Sequence, residues 1–475
     1  MGAAASQPSN AQFHDAEIED LRAAFDLIAE PGDQPILSSQ SFADFPPILP
    51  WRAFVNAVTN ADDSHWTHDP GWPGFLALLT NMCKSSKYDQ LQSVSKLYID
   101  VNSNMLSAKA LGQLLTDAFV ASRLGEEAPP DSAKYLEAAA ADATLGMPAV
   151  NISDWMLWAN KQLPAIATVQ STFLLQFLCA LGRAAKKGRQ AALKEAATDR
   201  TVLAAMRGLQ PPELQSMVNT DEGILLTPAA AWLVSISIVA LEPREYRCIY
   251  TSASHGLGMN RYMHHATGYG GASLLIASTN TGEVFGAFID TPVKPATKFF
   301  GGRDCFLFRL TPTFHVFRST PKSSNFCFYS PKATGQLRGE EYNTEQLDIL
   351  GFGGNTSRFR MSFESDLHVL RWFNSCAAYE THPSSDGQLS QGERKVQVLE
   401  VYGCAGQQGE KVLQELQQRR LSDAQRAGRL SRDSSRRQVL GENSDRDKFI
   451  METAGAHTFY SDTLEKIPIV TPSEA

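Results

Sequence analysis

The chain has 475 residues, of which 43% are hydrophobic and 20% charged, with a formal net charge of −8 and a pI near 5.7. That length exceeds one typical core and favours several domains, and the composition is that of an ordinary globular protein. The acidic balance argues against non-specific nucleic-acid binding by the whole chain, and seven scattered cysteines without a C-x-x-C pair indicate neither a disulfide framework nor a zinc site.

The opening MGAAASQPSN fits the pattern M-G-x-x-x-[ST], so loss of Met1 and acylation of Gly2 are expected, with residues 1–15 as a flexible tail. One myristoyl chain binds membranes at only roughly 10⁴ M⁻¹ and needs a second contact. No charged and apolar leader follows, so no secretory signal is expected. The longest apolar runs, 173–182 and 231–241, fall short of the ~20 residues that span a bilayer. A membrane would be met from the cytosolic side.

Residues 16–124 read as a helical region. Ile18, Leu21, Phe25 and Ile28 recur at spacings of three and four and predict an amphipathic helix. Residues 88–119 predict a helix, a polar loop and a helix, with Asp100, Asn102 and Asn104 at the first, third and fifth positions of an EF-hand loop. Met105 stands where the turn glycine belongs and Leu111 where the bidentate glutamate belongs, so the loop is expected to be a degenerate, metal-free scaffold. GEEAPPDS marks a linker, and residues 130–220 predict a second helical region rich in alanine.

Near residue 222 the pattern changes to strands. Residues 244–254 are rich in β-formers, and 272–290 hold two apolar runs around an Asn-Thr-Gly turn, which predicts a hairpin. CFLFRL, FHVFRST and NFCFYS continue the series, and KVQVLEVYG closes it with Val396, Val398 and Glu400 on one face against Leu399 and Val401 on the other. Short strands with few helices between them argue for an antiparallel β-sandwich. The expected fold class is therefore α+β, helical at the N-terminal end and strand-rich from residue 222 to 404. Residues 405–475 form a basic extension with a plausible helix.

Catalytic motifs are absent: there is no G-x-S-x-G elbow, H-E-x-x-H pair or P-loop. The histidine pairs at 65–68 and 264–265 lack a third ligand in sequence, and Ser252, Ser254 and His255 are adjacent in sequence only, whereas a triad requires spatial geometry. No enzyme activity, cofactor or metal is expected. Three glycine pairs, at 268–273, 299–305 and 351–359, read as tight turns.

The run YTSASHGLGMNRY, GASLLIASTNTGEVFGAFIDTPVKP, FFGGRDCFLFRLTP, FGGNTSRFRMSFESDL and VQVLEVYG, in that order, resembles a TLDc domain, the module of the oxidation-resistance family, over about 224–404. The resemblance implies an antiparallel sandwich with flanking helices and carries no agreed catalytic residue. The layout is similar to the lysosomal mTOR-associated TLDc proteins and their plant and algal relatives. It implies binding to the V-ATPase, at peripheral-stalk and catalytic-head subunits, on the cytoplasmic face of the lysosomal or vacuolar membrane with a cytosolic pool. It also implies links to TOR signalling or oxidative-stress resistance. Gly351, Gly353 and Gly354 of the TLDc turn are candidate partner-binding positions, as are Arg419, Arg420, Arg426 and Arg429 of the extension. Each arginine near an anionic surface contributes about 1 kcal/mol, which would supply the contact missing beside Gly2. RRLS and RDSS mark Ser422 and Ser435 as candidate phosphorylation sites, where phosphate would cancel local positive charge. The expected role is a non-enzymatic adaptor. The alternatives are a thiol-based redox-protective protein and a calcium sensor.

Overall fold

The computed structural model describes residues 13–30, 35–37, 71–100, 103–215, 225–238, 245–330, 349–364, 366–383 and 391–406, with residue 32 and several positions between 409 and 422. The candidate positions Gly2, Asn102, Arg420, Arg426, Arg429 and Ser435 lie outside the described residues.

The helical half is built around α7. In chain order it comprises α1 (Asp15–Ile28), α2 (Trp72–Cys83), α3 (Lys87–Lys96), β1 (Met105–Ser107), α4 (Ala108–Ser122), α5 (Ser132–Ala143), β2 (Ala149–Asn151), α6 (Ile152–Gln162), α7 (Ile166–Ala184), α8 (Arg189–Ala197) and α9 (Arg200–Met206). The predicted stripe of α1 is inside: Leu21, Phe25 and Ile28 are buried. Helices α1, α2, α3, α4, α8 and α9 all pack on α7, whose apolar residues point in nearly every direction. At Gly182 a side chain would run into the Asp20 carbonyl, so the glycine sets how closely α1 crosses α7. Side-chain caps start several helices: Ser86 on α3 accepts from the Asp89 N–H at 3.2 Å, Ser107 on α4 from Ala110 at 3.1 Å, and Asn151 on α6 from Asp154 at 2.9 Å.

Strands β1 and β2 pair antiparallel, Leu106 opposite Val150. They tie α3–β1–α4 to α5–β2–α6 as two helix–loop–helix units joined by a miniature sheet. The positive φ of the first loop falls on Asn104 (53°), and Met105 already belongs to β1. The turn therefore closes one residue earlier than the sequence spacing predicts.

After β3 (Glu213–Gln215) and α10 (Pro228–Ile236) the chain forms the sandwich. Its elements are β4 (Glu245–Thr251), α11 (Ser252–His255), α12 (Met259–Ala266), β5 (Ser273–Thr279), β6 (Val284–Ile289), β7 (Phe306–Thr311), β8 (His315–Arg318), β9 (Cys327–Ser330), β10 (Ile349–Phe352), β11 (Met361–Phe363), β12 (Val369–Trp372) and β13 (Gly392–Gly403). The hydrogen-bonded order is β8–β7–β6–β5–β13–β12–β11–β10–β9, with β4 also on β13 and β3 parallel to β4. The predicted 272–290 hairpin is β5–β6, its turn at Gly282 with φ 80°. Strand β13 joins the two layers: Gly392–Lys395 pair with β12, and Val396–Gly403 pair with β5.

Alternation along the strands gives the first layer two apolar faces. Leu275, Ala277, Phe285, Ala287, Leu307 and Phe317 face the second layer, where Tyr329, Leu350, Phe363 and Trp372 join them. Leu274, Ile276, Phe288, Phe306, Phe308 and Val316 face the opposite way, into one core shared with the helical half. In β13 the alternation expected from sequence is broken. A bulge between Val396 and Val398 turns Val396, Leu399 and Val401 all into the inter-layer core.

Candidate functional site

The glycine turn after β10 is packed, and its solvent face is polar. Gly351 lies under the Phe359 ring, and Gly353, with φ 67°, is hemmed in by Tyr379, Cys376 and Arg360. Gly351 and Gly353 are buried, whereas Asn355, Thr356, Ser357 and Arg358 are exposed. Arg358 stacks 4.4 Å from the Phe373 centroid. The exposed part of this turn is therefore the 355–358 tip, which the glycines position.

Behind the turn lies a cation inside apolar walls. The Arg360 guanidinium sits 5.0 Å from the Phe317 ring and 4.9 Å from the Trp372 ring, almost wholly buried, and its Nε and Nη1 have no hydrogen-bond partner among the described residues. Burial lowers its pKa to about 10, opposed by the neighbouring Cys376. Cys376 is half-buried, and its Sγ accepts from the Tyr379 N–H at 3.2 Å. Cys83 and Cys179 differ: burial raises both thiols to about 12.

The C-terminal segment leaves β13 at Cys404, and every described residue from 406 to 422 is helical. It begins on the 268–273 glycine turn. The Ala405 N–H donates to the Tyr269 hydroxyl at 2.9 Å, Ala405 sits where a side chain on Gly271 would be, and a Cβ on Gly270 would lie 2.7 Å from Val412. Arg419 and Ser422 are exposed on this helix, with the Ser422 hydroxyl donating to the Arg419 carbonyl at 2.7 Å. In the EF-hand-like loop Asp100 and Asn104 are exposed, and Asp100 accepts from the Ser103 hydroxyl at 2.8 Å.

The most concentrated polar chemistry is one the sequence does not announce. Asp142, at the end of α5, is buried with His315 of β8 and His382 of the segment after β12. Its Oδ2 accepts from His315 Nδ1 and from Trp158 Nε1, each at 2.8 Å, and its Oδ1 accepts from His382 Nε2 at 2.9 Å. Arg309 Nη2 of β7 is 3.9 Å from Oδ1. Burial works against the Asp142 charge, but the donors outweigh it and hold the carboxyl far below its usual range. Among the described residues this is the group with the composition of a cation site. Its two carboxylate oxygens are already filled by N–H donors beside a guanidinium, the arrangement of a hydrogen-bonded lock. Separations of 173 and 240 residues hide it from any local pattern. The only sequence signals are a histidine in a run of β-formers and an aspartate in an alanine-rich helix.

The two-layer sandwich defines the class of this part of the chain. Residues 219–405 match the family model described as the TLDc domain, and the chain carries that domain. Similar curated proteins include Oxidation resistance protein 1 of Rattus norvegicus, 24% identical over 208 residues, which is 43% of this chain and 22% of that protein. Oxidation resistance protein 1 of Homo sapiens is 27% identical over 131 residues, 28% of this chain and 13% of that protein. Nuclear receptor coactivator 7 of Homo sapiens is 25% identical over 194 residues, 39% of this chain and 18% of that protein. The chain thus spans at most 22% of the length of these relatives.

Proposed function

We propose that the chain is a non-catalytic adaptor of oxidative-stress resistance that binds the V-ATPase through its TLDc domain and C-terminal helix. The TLDc match at 219–405 carries the reading, and the names of the similar proteins support its stress-resistance part. A helix that continues from β13 and exposes Arg419 supports a shared docking surface, since two contacts on one chain raise the effective concentration of the second. Acylation of Gly2 would concentrate the protein on the cytoplasmic face of lysosomal or vacuolar membranes, where links to TOR signalling belong.

The test is capture of V-ATPase from detergent-solubilised membranes with the full chain, Gly2→Ala and a truncation after Cys404. Equal capture by the first two and loss in the third is the expected result. Failure of every form to retain the pump ends the adaptor reading.

A second reading, thiol-based protection, is favoured by Cys376, which is only half-buried whereas Cys179 is buried. On that reading Cys376→Ser abolishes peroxide consumption by the purified protein, while Cys179→Ser leaves it unchanged.

A further inference from the structure

The lock between the two halves is built so that one imidazole must stay neutral. Both carboxylate oxygens of Asp142 can only accept, so the ring atoms facing them, His315 Nδ1 and His382 Nε2, carry the protons. With its proton on Nδ1, neutral His315 presents a lone pair at Nε2. That lone pair faces the Gln162 side-chain amide nitrogen of α6 at 3.5 Å. The amide cannot turn its oxygen there instead, because Gln162 Oε1 accepts from the Val316 N–H at 2.7 Å. A proton on Nε2 would therefore point one donor at another in a buried site.

We propose that His315 is a proton sensor at the junction of the helical half and the TLDc domain. Protonation of Nε2 breaks the Asp142–His315–Gln162 bridge and loosens α5 and α6 from β7 and β8. The groups facing the ring from each packed element set the sign. Among the described residues, Asp142 from α5 is the anion that faces it. Arg309 from β7 and the His382 ring, 4.4 Å away centroid to centroid, both oppose a second positive charge. At the rim, the Lys161–Glu380 pair, 2.9 Å apart, spans the same seam. Burial is the largest influence and, with these two, holds the His315 ring below its usual value of 6.5. In the unfolded chain the ring takes up its proton near 6.5, so the junction keeps its full strength above that pH. Strength is lost as pH falls from there toward the folded-state value.

The experiment follows hydrogen exchange in full-length protein at pH 7.5 and 5.5, corrected for intrinsic rates, over α5, α6, β7 and β8. Wild type should lose protection in acid by up to about tenfold, since pH 5.5 lies one unit below the ring's usual value. Gln162→Glu keeps an acceptor for Val316 and offers Nε2–H a carboxylate, so its protection should stay level. An unchanged wild type, or a Gln162→Glu protein that loosens equally, overturns the proposal. If that variant does not fold, the His315 ring titration in labelled wild type decides: a midpoint at or above 6.5 refutes it. Zinc chloride that raises the melting temperature of wild type at pH 7.5, but not that of His382→Asn, also refutes it by making the cluster a cation site.

Discussion

Asp142 is a buried carboxylate whose donors come from three different stretches of chain. Replacing it with alanine would remove the acceptor of His315 Nδ1, His382 Nε2 and Trp158 Nε1 beside Arg309. Breaking a buried charged network of this kind costs about 3–5 kcal/mol, which chemical denaturation of Asp142→Ala against wild type would read directly. Glu400 is the opposite case. It is buried on β13, accepts from the Leu225 N–H and the Tyr402 hydroxyl at 3.0 Å each, and burial still raises its pKa. The folded state therefore binds that proton more tightly than the unfolded chain. Glu400 penalises stability at neutral pH, and the penalty fades as pH falls through the folded value toward 4.5. Glu400→Gln should leave stability at pH 7 equal or higher, and should flatten the pH dependence of unfolding in that window. Neither group could be placed from sequence, because a pKa depends on neighbours that only the fold assembles.

Strands and helices were more legible than the details that aim their side chains. The stripe of α1, the β5–β6 hairpin and the succession β7, β8, β9 all stand where periodicity and turn chemistry place them. The face assignment of β13 failed because a one-residue bulge, invisible to a period-two reading, reverses alternation after Val396. The EF-hand-like loop misled by one position for a related reason: asparagine tolerates a left-handed backbone, so Asn104 makes the turn that the template assigns to Met105. The glycines at 268–273 read as a tight turn, yet two of them also make room for a helix from the far end of the chain. Adding a side chain there should unseat it. In Gly271→Val, the helix that starts after Cys404 should become sensitive to limited proteolysis, while the melting temperature of the rest changes little. A helix as protected as in wild type would mean that the Tyr269–Ala405 contact alone holds it.

At the scale of the whole molecule, the first sandwich layer is the central element, since it is buried on both sides. Near-continuous apolar strands such as CFLFRL forecast that burial, as they do for sheets covered on two faces. The sequence did not say that the second cover would be the helical half. The physical reason is that alternation sorts residues into two faces without naming what each face meets. Leu274, Ile276, Phe288, Phe306, Phe308 and Val316 share one core with the helices, which is far more apolar contact than the Asp142 lock contributes. Acid should therefore loosen the seam without parting the halves, whereas removing the helices should be ruinous. A fragment containing only residues 219–405 is expected to expose that face, bind a hydrophobic dye and aggregate at concentrations where the full chain stays monodisperse. Heating the full chain should likewise melt helix and sheet signals together, because one core belongs to both. A fragment that stays soluble and dye-free, with two separate melting transitions in the parent, would mean the shared core is a contact between independent domains.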